Sequence, residues 1–115
     1  MESILTSIKK LLGISEEDDQ FDVDVMMHIN TVFFDLNQMG VGPSECFYIE
    51  DADIIWEDFV STKDMEAVKS YMYMRVRLLF DPPNNSSVLE SFNKSIEKLE
   101  WRLNVAAEAK LNKEE

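Results

Sequence analysis

The sequence predicts an all-α fold: a small bundle of three long helices, with a short N-terminal helix and an irregular acidic loop region. Three observations point there. The three glycines and three prolines all fall where helical patterns stop. Between those stops, apolar residues recur at spacings of three and four. Thirty-four of the 115 residues are Leu, Ile, Val or Phe, enough for one ordinary core and far from a disordered composition. The chain reads as one domain, residues 1–115. Within it, 1–13 form the N-terminal helix, 14–21 an acidic linker, 22–104 the bundle and 105–115 a C-terminal extension.

The first helix is expected over Ser3 to Leu12, with Ile4, Leu5, Ile8, Leu11 and Leu12 on one stripe and Gly13 as C-cap. The linker after it carries Glu16, Glu17, Asp18 and Asp19. The second helix runs from Asp22, a candidate N-cap, to Met39. Val25, Ile29, Val32, Leu36 and Met39 form its stripe, and Met26 and Phe33 widen it, so burial on more than one side is expected. Between Val41 and Ser61 the pattern is irregular. Phe47, Tyr48 and Ile49 suit a short extended piece, and Ile54, Ile55, Trp56 and Phe59 a short helix.

The third long helix is expected over Lys63 to Phe80, capped by Ser61 or Thr62. Met65, Val68, Met72, Val76 and Leu79 form its stripe, and Tyr71, Tyr73, Met74, Leu78 and Phe80 fill much of the other side, so this helix should be central. Asp81-Pro82-Pro83 stops it, because proline removes a donor and restricts the residue before it. The last helix starts near Ser87, where Ser87 and Glu90 have capping-box spacing. Leu89, Phe92, Ile96, Leu99, Leu103 and Ala106 then make a narrow, coiled-coil-like seam, and a frayed tail is expected from Lys110 to Glu115.

Charge divides the chain in two. The formal net charge is −12, from 11 basic and 23 acidic residues. No Lys or Arg occurs between Lys10 and Lys63, and the stretch from Leu11 to Thr62 carries 13 acids. The remainder is close to neutral. Neutralising nucleic-acid phosphates needs clustered Lys and Arg, so sequence-specific DNA or RNA reading is not expected. Anionic lipid is disfavoured for the same reason. No apolar run reaches membrane-spanning length, and Met1 to Gly13 lacks a small-residue cleavage site, so the protein is expected to be made in the cytoplasm. A single cysteine, Cys46, suits a reducing compartment.

Candidate chemistry is sparse. His28 and Cys46 are the only residues of their kinds, and nothing in their spacing requires that they meet as nucleophile and base. Asp18, Asp19, Asp22 and Asp24 approach calcium-loop spacing but lack the central glycine and closing glutamate. Glu50, Asp51, Asp53, Glu57 and Asp58 have no recognised metal spacing. N-caps and solvated faces account for both acidic clusters. No catalytic, metal or cofactor site is assigned. Trp101 lies opposite the seam of the last helix, with Val105 one turn on. Either another part of the chain covers it, such as the first helix, or a second chain does. The first helix itself could pack on its own bundle, dock on a neighbouring subunit or, with only Lys9 and Lys10 nearby, touch a membrane.

Several stretches carry a resemblance. They are Phe21-Asp22-Val23-Asp24 with His28-Ile29-Asn30 and Leu36-Asn37-Gln38-Met39-Gly40-Val41-Gly42; Trp56-Glu57-Asp58-Phe59; and Tyr71 to Arg77 leading into Leu79-Phe80-Asp81-Pro82-Pro83, then Leu99-Glu100-Trp101-Arg102-Leu103. In this order, the chain resembles the small head–tail connector (adaptor, or head-completion) proteins of tailed bacteriophages and prophages. The resemblance implies a non-enzymatic virion component at the head–tail interface, made in the host bacterial cytoplasm. It implies a homo-oligomeric ring, twelve-fold on the portal, that extends the DNA channel and receives the next connector, stopper or tail protein. DNA would pass through without sequence-specific binding, and no membrane or cofactor is involved. In this family the end of the last helix reaches into the portal, which points to Trp101, Arg102, Val105, Lys110 and Leu111 as partner contacts. Glu16, Glu17, Asp18, Asp19, Glu50, Asp51 and Asp53 are candidate channel-facing acids, placed to repel passing DNA. Two rival readings fit the charge: a binding module that sequesters a basic protein, and a small carboxylate metalloenzyme.

Overall fold

A computed structural model of the chain describes residues 2–43, 45–61 and 63–114, with side chains as far as residue 109. Four helices appear in order: α1 (Ile4–Leu11), α2 (Asp22–Gln38), α3 (Met65–Phe80) and α4 (Ser86–Glu114). A single 3₁₀ turn, Trp56–Asp58, interrupts the loop between α2 and α3. No strand occurs among the described residues, so the all-α expectation holds. α3 packs against both α2 and α4, and α1 lies across α2 and α3. The molecule measures 46 × 35 × 20 Å, a slab about two helix diameters thick.

α1 starts where Ser3 caps it: Ser3 Oγ accepts from the Thr6 N–H at 3.2 Å. Its buried arc is centred between Leu5 and Ile8, which brings Ile4 inside and leaves Leu11 at the outer edge, 52% exposed. Lys9 falls on the opposite edge of that arc and is only 3% exposed. Its ammonium lies 2.7 Å from Asp22 Oδ1 and donates to the Glu16 carbonyl at 3.2 Å. Asp22 is therefore not an N-cap. Phe21 holds that position, and Asp22 in the first turn gives its carboxylate to Lys9. One buried ion pair thus fixes the end of α1 to the start of α2 across the acidic linker.

At its other end α1 is tied to the loop before α3. The Ile4 N–H donates to the Ile54 carbonyl at 2.9 Å, and Ser3 and Ile55 form an isolated bridge. The Trp56 indole N–H donates to Ser7 Oγ at 2.7 Å, with the indole wholly buried. The expected short helix around Trp56 is thus one 3₁₀ turn, held by the Asp58 carboxylate accepting from the Ile55 N–H at 3.2 Å. The expected extended piece at Phe47 to Ile49 finds no partner strand. Instead the Asn30 amide on α2 both donates to the Ile49 carbonyl (3.0 Å) and accepts from its N–H (2.8 Å), satisfying one residue as a strand would.

Both α1 and α2 end in paired six-to-one and five-to-two hydrogen bonds. In α2 these are Val41 N–H to Leu36 O (2.9 Å) and Gly40 N–H to Asn37 O (3.0 Å), with Gly40 at φ +83°. Two residues on, Gly42 at φ +86° lies under the Phe59 ring, where a Cβ would come within 2.5 Å of a ring carbon. Phe59 stacks with Phe33 and Phe47 at centroid distances of 4.5 and 5.0 Å, so the loop packs onto the Met26–Phe33 side of α2.

The remaining boundaries shift for local reasons. α3 begins at Met65 after Asp64, without a side-chain cap; Ser61 contributes only its carbonyl to the Asp64 N–H, and Thr62 lies outside the described residues. α4 begins at Ser86 because the Asn85 side chain, not Ser87, accepts from the Ser87 and Val88 N–H groups at 2.8 and 3.3 Å. α4 is helical as far as Glu114. Its seam uses Ile96, Leu99 and Leu103 as expected, then passes to Ala107, whose Cβ stands 3.6 Å from where a Cβ on Gly40 would lie, while Ala106 is exposed. A straight helix turns 3.6 residues per turn, so a strict 3.5-residue seam drifts off its partner over four turns.

Replacing Lys9 by Ala should cost about 2 kcal/mol in urea unfolding, since Asp22 keeps some solvent and the full penalty of an orphaned buried charge is not reached. The double variant Lys9→Met/Asp22→Leu should recover most of that loss. Gly42→Ala should cost about 2–3 kcal/mol, combining left-handed strain with displacement of Phe59. A thermal-melt comparison with Gly13→Ala, where an added Cβ meets nothing within 4 Å, separates the two contributions.

Candidate functional site

Polar side chains converge inside the bundle at one place. Arg75 on α3 donates to Asp35 on α2 (2.6 Å) and to the Tyr71 hydroxyl one turn back (2.6 Å). The Tyr71 hydroxyl in turn donates to Glu100 on α4 at 2.8 Å. Burial first, then the hydrogen bond to Glu100, pushes the Tyr71 phenol up to about 12. Every member has a partner on another residue of the network, so the network is a joint between helices.

The residues that could carry catalysis are scattered. His28 sits on α2 with its ring 6.4 Å from that of Phe80, a packing contact. Cys46 is free and exposed on the loop after α2. Among the described residues no group of three or more His, Cys, Asp or Glu side chains is spaced to hold a metal ion. The four linker acids, Glu16, Glu17, Asp18 and Asp19, are all exposed, as are Glu50, Asp51 and Asp53. The Ser15 hydroxyl donates to Glu17 at 2.7 Å and holds its carboxyl below the usual range. The linker leaves the C-terminus of α1, whereas Ile54, next to Asp53, binds its N-terminus. The two acidic loops therefore flank one short helix, about 12 Å long.

What the surface offers is apolar. Trp101 is 68% exposed and Val105 44%. α1 does not cover them, because its apolar side is spent on α2, α3 and Trp56; it packs on its own bundle. Arg102, beside Trp101, is exposed too, while the side chains of Lys110 and Leu111 lie outside the described residues. A second patch was not singled out from the sequence. On the side of α2 opposite its core stripe, Val23 (75%), Met27 (57%) and Phe34 (54%) stand exposed. With Asn30, Ile49 and Glu50 they line a shallow open groove. The signal was present: Val23, Met27 and Phe34 recur at spacings of four and seven, a second stripe interleaved with the first.

A family model described as phage connector protein matches residues 4–110, nearly the whole chain. The chain belongs to the phage connector protein family. That family is structural, not enzymatic, and its match spans all four helices of this phage connector. No curated protein and no solved structure matches the chain. No described helix is long and apolar enough to cross a membrane.

The joint at Tyr71 makes stability sensitive to alkali. A phenol raised in the folded state contributes stability that is intact below its unfolded value near 10 and is lost as pH rises towards about 12. Denaturation midpoints of the wild type should fall across that window, and those of Tyr71→Phe should fall less.

Proposed function

We propose that this phage connector assembles as a ring beneath the portal, extends the DNA channel and presents a platform for the next connector, stopper or tail protein. The family match over residues 4–110 carries this reading. The surface supports it: a subunit that closes a ring needs two unlike, mutually complementary faces, and α2 and α4 each leave an apolar face open on either side of α3. The partner-binding surface is the outer face of α4, from Trp101, Arg102 and Val105 onward to Lys110 and Leu111. Beyond Ala107 the next side chains, Glu108 and Ala109, are exposed, so this end of α4 stands clear of the bundle and is free to enter the portal.

In the same reading the acids of the two loops around α1 face the channel. They are unpaired with any Lys or Arg among the described residues and hold a negative surface to which DNA phosphates do not adhere. The protein is a virion component, and its contacts are with protein and not with membrane.

Electron microscopy of a lysate from phage carrying an early stop codon in this gene should show unjoined heads and free tails. Supplying the protein in trans should restore joined particles. Normal numbers of joined particles without the protein would overturn the connector role and favour sequestration of a basic partner, to be sought by pull-down.

A further inference from the structure

The two open apolar faces differ in the charge around them. On α4, Lys98 lies one turn before Trp101 and Arg102, and Arg102 one turn before Val105; all four are exposed. Neither Lys98 nor Arg102 has an ion-pair partner among the described residues. On α2, the groove of Val23, Met27 and Phe34 has Glu50 on its wall, and Asp24 lies one turn before Met27. Both acids are exposed and neither is paired among the described residues. The α4 face is an apolar knob with a basic edge at Lys98 and Arg102 and the exposed acids Glu97 and Glu108 along its other edge; the α2 face is an apolar groove with an acidic rim. They sit on the helices that flank α3, so one molecule cannot join them to each other.

We propose that the groove on α2 receives the Trp101–Val105 face of α4 from a second copy of this chain, head to tail, with Lys98 and Arg102 set against Glu50 and Asp24. This rests on the ring reading above and names its subunit contact. A knob and a groove on different helices make a heterologous interface, which continues from copy to copy until rotation closes it. Trp101 supplies the anchor, since a large aromatic in an apolar pocket carries a disproportionate share of binding. The basic edge of the knob set against the acidic rim fixes register, and the groove-to-groove pairing is rejected because it brings like charges together. Glu50 then faces the neighbouring subunit and leaves the channel-facing set, and Trp101 and Val105 are taken by the neighbour, leaving the end of α4 for the portal.

The test uses particles assembled with protein carrying Cys46→Ser, into which Trp101→Cys and Phe34→Cys are introduced singly and together. Oxidised particles should give, from the double variant, a ladder of covalent multimers on a non-reducing gel, and from either single variant only monomer. Dimers from Trp101→Cys alone would mean a two-fold contact and overturn the proposal. A crosslink from Trp101→Cys to the portal would also overturn it, while leaving the connector role standing. If the cysteine variants do not enter particles, charge reversal decides. Lys98→Glu/Arg102→Glu should lower the yield of joined particles about tenfold, and adding Asp24→Lys/Glu50→Lys should restore it. Failure of the second pair to rescue the first overturns the interface. Connector activity itself is read separately, by wild-type complementation of the stop-codon phage.

Discussion

Arg75 is the constraint on which the bundle turns. It stands on the central helix and reaches Asp35 on one flank, while Tyr71, one turn away, reaches Glu100 on the other. Apolar packing alone is tolerant of sliding, because a Leu or Val contact has no direction. A chain of donors and acceptors does have direction. With Tyr71 wholly buried and its hydroxyl occupied on both sides, shifting α2 or α4 by a turn would leave a polar group unmet at a cost of about 1–3 kcal/mol. The network therefore sets the register of α2 and α4 on α3, and so the relative placement of the two faces they turn outward.

The second fixed point is Lys9 with Asp22. The acidic linker between them packs on the core only at its ends, through Ile14 and Phe21, and this pair closes its two ends on each other. The same pair draws one of the two lysines of α1 inside the protein. The linker acids are then held at one end of α1 and the Asp51–Asp53 loop at the other, which gathers the exposed negative charge around a single short helix.

Most of the fold was legible because helical periodicity reports which face meets the core. Val25, Ile29, Val32 and Leu36 on α2, Val68, Met72 and Val76 on α3, and Ile96 and Leu103 on α4 are all buried as their spacing requires. What escaped was set by partners distant in sequence. Lys9 could not be read as buried without knowing that Asp22 comes to meet it. Ser87 matched a capping box, but Asn85 is two residues earlier and binds first. Asn30 looked like an ordinary helix residue and serves Ile49, nineteen residues away. At the site, Trp101 and Val105 were readable, since their positions oppose a well-defined seam. The α2 groove was not, because Met26 and Phe33 broadened the apolar face of α2 and hid the second stripe of Val23, Met27 and Phe34 beside it. Only the placement of α3 and the loop at Phe47 and Phe59 on the other sides shows that the third side of α2 has no cover.

That third side follows from the slab. A bundle in which one central helix is flanked by two others buries the centre on both sides and each flank on one. A fourth layer would cover the flanks, but α1 is too short, at about 12 Å, to span either, and it is committed to the edge between α2 and α3. The exposed apolar surface on α2 and α4 is therefore a consequence of the same register that Arg75 fixes. An isolated subunit with one such face would pair and stop. In the proposed ring, two unlike faces held in fixed relation by that joint would let each added copy present the face the next one needs, and the angle between them would set how many copies close the circle.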